Sequence, residues 1–240
     1  MSAATGPITL SVDVGGSNIK AMPLDARGKP IAERVKLPTP RPATTKAVVA
    51  TIAQVGAEIV KQSGAFDRVS VGFPGVIRDG AVLTAANFDG DWNGFDLRAA
   101  VKRVLKKPTH VLNDADMQGF GAIRGKGVEL TVTFGTGIGA GLFVDGKLVP
   151  NLELGHHAFR KGETYEEQLG NAALEAVGKK RWKKRVRLAI AQMLKVFWPT
   201  HLYLGGGNAR LIDWKLPEGV EVVPNEYGIL GGIALWRDDQ

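Results

Sequence analysis

Val12-Asp13-Val14-Gly15-Gly16-Ser17 and, half a chain later, Thr133-Phe134-Gly135-Thr136-Gly137-Ile138-Gly139 share one design. Each runs an apolar strand into a glycine turn. Each then continues into a second strand that ends in a hairpin signal, Asp25-Ala26-Arg27-Gly28-Lys29 after the first and Asp145-Gly146-Lys147 after the second. Glycine has no Cβ to block approach, so the backbone N–H groups of such a turn can converge on an anion. The repeat predicts two phosphate-holding loops facing a common cleft. A dinucleotide-binding turn is the alternative, since Gly135, Gly137 and Ala140 fit G-x-G-x-x-A. That fingerprint opens a helix. Here the chain continues as Gly141-Leu142-Phe143-Val144-Asp145-Gly146-Lys147-Leu148-Val149, a strand, a turn and a strand, which argues against a nicotinamide site.

Outward from these turns, apolar runs at 8–14, 69–73, 111–113, 131–134, 201–204 and 220–223 read as strands. Helices are predicted at Thr44 to Gln62, with Val48, Ile52, Val55 and Ile59 on one face and Gly64 as the stop, at Phe95 to Leu105, and at Leu169 to Phe197 with a break near Gly178. Such alternation predicts an α/β protein with mixed sheets, divided near Pro108.

The chain has 240 residues, 44% of them hydrophobic, enough for a sizeable core in one large domain or two modest ones. No run is long enough to span a membrane, and Met1-Ser2-Ala3-Ala4-Thr5 lacks the charged start and apolar core of a secretion signal, so a cytoplasmic protein with no membrane partner is expected. The absence of cysteine excludes disulfides, thiolate chemistry and cysteine-based zinc sites. The net charge of +7 is clustered: seven of the nine residues from Lys179 to Arg187 are basic. Trp182, Val186, Ile190, Met193 and Phe197 recur through them at helical spacing, which predicts an amphipathic helix with a buried stripe. Its basic face is either a solvated surface or a site for a phosphate-rich ligand. No helix-turn-helix, zinc finger or aromatic RNA-binding signature accompanies it, so no DNA partner is expected.

Four polar groups could carry chemistry. Asp114, in Asn113-Asp114-Ala115, is either a helix N-cap or a strand-end carboxylate able to take a proton from a hydroxyl. Glu153 and His156, in Glu153-Leu154-Gly155-His156, could hold vicinal hydroxyls or be surface groups. Asn87 is either a ligand contact or turn chemistry. Gly205-Gly206-Gly207-Asn208 is either a tight turn or a backbone platform for a nucleotide.

In order, Asp13-x-Gly15-Gly16-Ser17 with Lys20, Gly72-Phe73-Pro74-Gly75, Asn113-Asp114-Ala115, Gly135-Thr136-Gly137-x-Gly139-x-Gly141, Glu153-x-Gly155-His156 and Gly205-Gly206-Gly207 resemble the ROK family of sugar kinases. The resemblance covers nearly the whole chain. It implies the actin-like ATPase (ribonuclease H-like) fold, two α/β lobes with mixed sheets around a central cleft: residues 1–108, then 109–227, with 228–240 packing back on the first lobe. It implies that Asp114 is the catalytic base and that Gly75, Asn87, Asn113, Glu153, His156 and Glu166 bind the hexose. Asp13, Gly15, Gly16, Ser17, Lys20, Thr136, Gly137, Gly139, Gly205, Gly206 and Gly207 would serve the donor phosphates or nucleotide, with Asp13 placing Mg²⁺ through water. The surroundings of Glu166, Tyr165-Glu166-Glu167-Gln168, depart from the usual context.

Most ROK kinases bind a structural zinc through a cysteine cluster after the Gly-His pair; this chain has no cysteine, so no structural zinc is expected. The subgroup similar to polyphosphate glucokinases also lacks it and carries a basic helix resembling Lys180-Arg181-Trp182-Lys183-Lys184-Arg185. Likeness to that subgroup implies that Lys180, Arg181, Lys183, Lys184 and Arg185 bind polyphosphate. The expected activity is phosphorylation of glucose, with mannose as a second sugar, at the 6-hydroxyl by polyphosphate, ATP or both, in a homodimer. A strictly ATP-dependent glucokinase, an N-acylhexosamine kinase and a non-catalytic sugar-binding regulator are the other readings.

Overall fold

The computed structural model describes residues 6–86, 88–224 and 227–237, and divides the chain into two compact units. The first begins with β1 (Thr9–Val14), β2 (Asn18–Leu24) and β3 (Val35–Pro38), followed by α1 (Thr45–Ser63) and β4 (Arg68–Phe73). Short strands β5 (Ile77–Arg78), β6 (Ala81–Val82) and β7 (Phe95–Asp96) form a small sheet before α2 (Leu97–Leu105), β8 (Thr109–Asn113) and α3 (Asp114–Ala122). The main sheet runs β3-β2-β1-β4-β8, antiparallel across the first three strands and parallel across the last three. Strands β1 and β4 are buried almost throughout, although Leu10, Val12 and Val14 alternate with Thr9, Ser11 and Asp13 on the first, and Val69, Val71 and Phe73 with Arg68, Ser70 and Gly72 on the second.

Helix α1 lies where its periodicity places it. Thr44 Oγ1 accepts from Ala47 N–H at 3.3 Å, Gly64 closes the other end with φ of 85°, and Val48, Ile52, Val55 and Ile59 are fully buried. The helix expected from Phe95 is shorter. Phe95 and Asp96 pair with Val82 and Ala81 as a sheet edge, and the Asp96 carboxylate accepts from Ala99 N–H at 2.8 Å, so α2 starts at Leu97, two residues later than expected. The division expected near Pro108 falls between Gly121 and Ala122. Strand β8 pairs in parallel with β4, and this keeps both it and α3 in the first unit.

The chain returns to that unit at Gly228, through α6 (Tyr227–Leu230) and a 3-10 turn over Gly231–Trp236. Ser11 Oγ donates to the Ile229 carbonyl and Ser70 Oγ to that of Gly232, both at 2.6 Å; the Trp236 indole N–H reaches Ser70 Oγ at 2.8 Å. A Cβ on Gly232 would overlap Ser11 Oγ, so only glycine lets the returning backbone approach β1 this closely.

The second unit, residues 122–227, repeats the main sheet's plan. Its strands are β9 (Val128–Phe134), β10 (Ile138–Val144), β11 (Lys147–Val149), then a small ribbon of β12 (Ala158–Arg160) and β13 (Glu163–Thr164). Helices α4 (Tyr165–Leu169) and α5 (Asn171–Phe197) follow, then β14 (His201–Gly205) and β15 (Val220–Val222). The order β11-β10-β9-β14-β15 is again antiparallel on one side of its central strand and parallel on the other. Helix α5 breaks where predicted, at Gly178 with φ of 73°. Its stripe of Trp182, Val186, Ile190 and Met193 is buried with Phe134, Leu202 and Leu204 in a core of its own; Phe197 is half-buried at the margin.

Candidate functional site

In the first unit, the register of β1 against β2 sets Asp13 opposite Lys20, and Lys20 Nζ donates to Asp13 Oδ2 at 2.8 Å. Both side chains are mostly covered, so this pair takes up the lysine's charge locally. The glycine turn beyond it is closed by Gly15 N–H on the Asn18 carbonyl at 2.9 Å. The segment after β3 braces it from outside. Thr39 Oγ1 donates to the Gly15 carbonyl at 2.6 Å, Thr39 N–H to that of Ser17 at 3.0 Å, and Arg41 Nη2 to that of Gly16 at 2.9 Å. A Cβ added at Gly16 would meet nothing within 4 Å, so the face of the turn is open.

Strand β8 delivers Asn113 and Asp114 to the start of α3. Asn113 Oδ1 accepts from Ala115 N–H at 2.8 Å and from Asp116 N–H at 3.2 Å, while its amide donates to the Gly75 carbonyl at 3.0 Å. Asn113, and not Asp114, is therefore the residue that caps this helix. Asp114 is its first residue, half-buried, with Oδ1 2.9 Å from Ala115 N. Gly75 is tightly enclosed, because a Cβ there would overlap the Thr84 carbonyl. Asn87 lies outside the described residues.

In the second unit, three elements meet at Ile138, the first residue of β10. Its N–H donates to Glu166 Oε2 at 3.1 Å, which joins the glycine turn to α4. Its carbonyl sits where a Cβ of Gly155 would be, so the turn bearing Glu153 and His156 rests directly on the strand. Gly137 belongs to the same contact, as a Cβ there would overlap Glu166 Oε2. Glu153 Oε2 lies 3.6 Å from His156 Nε2, with the imidazole two-thirds exposed. Asn171 N–H reaches the Thr136 carbonyl at 3.3 Å, and Gly139 N–H the Thr133 hydroxyl at 3.2 Å. The glycines after β14 pack on the same strand end: a Cβ on Gly206 would overlap the Phe134 carbonyl, while Asn208 N–H donates to that carbonyl at 2.9 Å. Gly205 ends β14, and Gly207 has open space beside it.

The basic residues of α5 sort into two groups. Trp182, fully buried, anchors the helix through its indole N–H to the Leu169 carbonyl at 2.7 Å. Lys183 pairs with Asp213 at 2.5 Å and, by that hydrogen bond, holds the Asp213 carboxyl below the usual carboxylate range. Arg185 donates to the Gln168 carbonyl at 3.0 Å, and Arg187 stacks over Trp214 at 4.1 Å. Lys180, Arg181 and Lys184 are exposed and have no such partner among the described residues.

Thr39, Arg41, Asn171 and Asn208 brace the glycine turns but carry no motif. Only Asn208, adjoining a glycine run, offers a signal in the sequence. A cavity of about 490 Å³ between α1 and α2, lined by Val49, Ala99 and Arg103 among others, holds none of the candidate residues. Among the described residues no three His, Cys, Asp or Glu side chains form a metal-binding group, and no helix is long and apolar enough to cross a membrane.

The description of the ROK family matches residues 9–164. A polyphosphate glucokinase of Mycobacterium tuberculosis is 37% identical, over 92% of this chain and 88% of its own. A glucokinase of Streptomyces coelicolor is 33% identical over 59% of this chain and 45% of its own. Among solved structures, the inorganic polyphosphate/ATP-glucomannokinase of Arthrobacter sp. strain KM superposes with a TM-score of 0.88 at 33% identity, covering 98% of this chain and 100% of that one. A ROK family glucokinase from Streptomyces griseus, in complex with glucose and AMPPNP, superposes at 0.81 with 21% identity, covering 96% and 99%.

Proposed function

The chain belongs to the ROK family and has its actin-like ATPase fold, and on that premise we propose that it phosphorylates glucose at the 6-hydroxyl with polyphosphate or ATP as donor. The observation that carries this reading is the junction at Ile138. One residue joins a glycine turn suited to phosphates to the Glu166 carboxylate and to Gly155, in the turn that bears Glu153 and His156, groups suited to sugar hydroxyls, as a transfer between the two requires. The likeness to a polyphosphate glucokinase and to a polyphosphate/ATP-glucomannokinase, each over most of the chain, supports the choice of sugar and donors. Mannose is the second sugar, and the enzyme acts in the cytoplasm as a homodimer.

In the reaction, the sugar's O6 bonds to the terminal phosphorus of the donor as the bond from that phosphorus to its bridging oxygen breaks. Asp114 takes the proton from O6. Asn113 caps α3 and thereby fixes where Asp114 stands, while its amide also fixes the Gly75 backbone. Glu153, His156 and Glu166 hold sugar hydroxyls, as does Asn87. The N–H groups around Gly15, Gly16 and Ser17, and around Thr136, Gly137 and Gly139, receive donor phosphates, with Gly205, Gly206 and Gly207 as a backbone platform. Magnesium, when bound, neutralises charge on the phosphate oxygens. The donor set fits that ion: Asp13 offers a single carboxylate, one oxygen of which holds Lys20, and Mg²⁺ characteristically keeps several waters and takes its other ligands from phosphates. Lys180, Arg181 and Lys184 track the distal part of a polyphosphate chain. Lys183 and Arg185 instead hold α5 in place.

The test is glucose 6-phosphate formation with ATP and with polyphosphate in parallel. Turnover with both donors is expected. ATP turnover alone would assign the protein as an ATP-dependent glucokinase, and sugar binding without turnover on either donor would make it a non-catalytic binder.

A further inference from the structure

We propose that Arg41 is a donor-phosphate contact at the first glycine turn, supplying the cation that Lys20 does not. This rests on the reading of that turn as a phosphate holder. The strand register brings two lysines near the turn: Lys20, whose ammonium is paired with Asp13 at 2.8 Å, and Lys36, which stands opposite Lys20 on the exposed edge strand β3. Arg41 arrives by a different route. Thr39 grips the turn by two hydrogen bonds, so the backbone two residues later runs alongside it, and Arg41 Nη2 lies 2.9 Å from the Gly16 carbonyl. That bond uses one of five guanidinium N–H groups. The nearby Asp89 carboxylate accepts from Ala43 N–H at 2.6 Å, and no carboxylate pairs with Arg41 among the described residues. The side chain is exposed, and the turn beside it is open at Gly16. A permanently charged planar fork, held at the edge of an uncovered glycine turn, suits the paired oxygens of a phosphoryl group.

Two substitutions separate charge from bracing. Arg41→Gln keeps an N–H donor for the Gly16 carbonyl and removes the charge; Arg41→Lys keeps the charge and removes the fork. Inorganic tripolyphosphate is the probe, titrated calorimetrically without sugar at low and at high salt. Arg41→Gln is expected to weaken its binding about tenfold at low salt, with a smaller gap at high salt, and Arg41→Lys to fall between Arg41→Gln and the parent. Donor KM should follow, while glucose KM and Tm stay within error of the parent. Equal tripolyphosphate affinity in parent and Arg41→Gln overturns the proposal, as does a parent that binds no tripolyphosphate. A loss in Arg41→Gln that is insensitive to salt, or that comes with an equal loss of glucose affinity, also overturns it, because a mere brace would behave in that way. Because the titration needs no turnover, a parent that binds tripolyphosphate yet transfers no phosphoryl group defeats the kinase reading and leaves the Arg41 contact to be judged by binding alone.

Discussion

Asp114 stands one residue beyond the cap of its own helix, so the capping of α3 does not depend on it. Its replacement by Ala leaves Asn113 to cap α3 through Ala115 and Asp116. The expected outcome is therefore a folded protein with kcat lowered by roughly 10² to 10⁴, since a positioned base contributes about that much. Near-parental turnover in the folded variant would remove Asp114 from the mechanism. Glu153→Gln and His156→Ala should each raise glucose KM by about tenfold and leave donor KM nearly unchanged, as hydrogen bonds to charged groups are worth roughly 1.5 to 3 kcal/mol. Glu166→Ala should differ from both. It strips the acceptor from Ile138 N–H, so donor KM and glucose KM are expected to rise together, and steady-state kinetics with each substrate varied in turn will show whether they do. As candidates, Asn113, Asp114, Glu153 and His156 are legible in the sequence because each lies at the end of a strand, or a few residues beyond one, that can be read locally. Arg41 is not legible, because nothing in the spacing from residue 16 to residue 41 shows that the chain doubles back through β3 to the same turn.

At the scale of the element, α5 was readable in outline: its apolar period, its basic run and its break at Gly178 are all local properties. The division of labour within the basic run was not, because it depends on Asp213, Gln168 and Trp214, which come from other segments. Replacing Lys180, Arg181 and Lys184 together by Gln should raise KM for long polyphosphate severalfold at low salt, less at high salt, and alter ATP KM little. Replacing Lys183 and Arg185 should instead lower the unfolding midpoint with no preference between donors. Equal donor effects in the triple variant would return the exposed face to ordinary solvated surface. The start of α2 is hidden for a related reason. Phe95 continues the helical pattern, but its cross-strand partner Val82 claims it as a sheet edge.

For the molecule as a whole, the two hairpins that the sequence shows as a repeat each belong to a five-stranded sheet with the same order of antiparallel and parallel neighbours. What the sequence concealed is where the chain divides, since that depends on β8 pairing with β4. Stability carries one buried charge that can be tested. Glu129 is fully buried; burial alone would raise its pKa, but the Tyr203 hydroxyl at 2.7 Å and the N–H groups of Arg124, Gly125 and Lys126 outweigh this and hold it below its ordinary 4.5. A lowered folded-state pKa adds stability that is present above pH 4.5 and lost as pH falls through the folded value. Glu129→Gln should therefore be less stable than the parent by about 2 kcal/mol at pH 7, with the gap closing toward pH 3, as urea unfolding at both pH values will reveal. A gap independent of pH would show that shape, not charge, matters there. The return of the chain through Ile229 and Gly232 to Ser11 and Ser70 bears on how the protein is made. During translation, residues 122–227 form one uninterrupted stretch that can close its core as it leaves the ribosome. Strands β1 and β4 emerge first, yet their serine hydroxyls must wait in water for a segment synthesised more than a hundred residues later, so the unit that is begun first is the last to be completed.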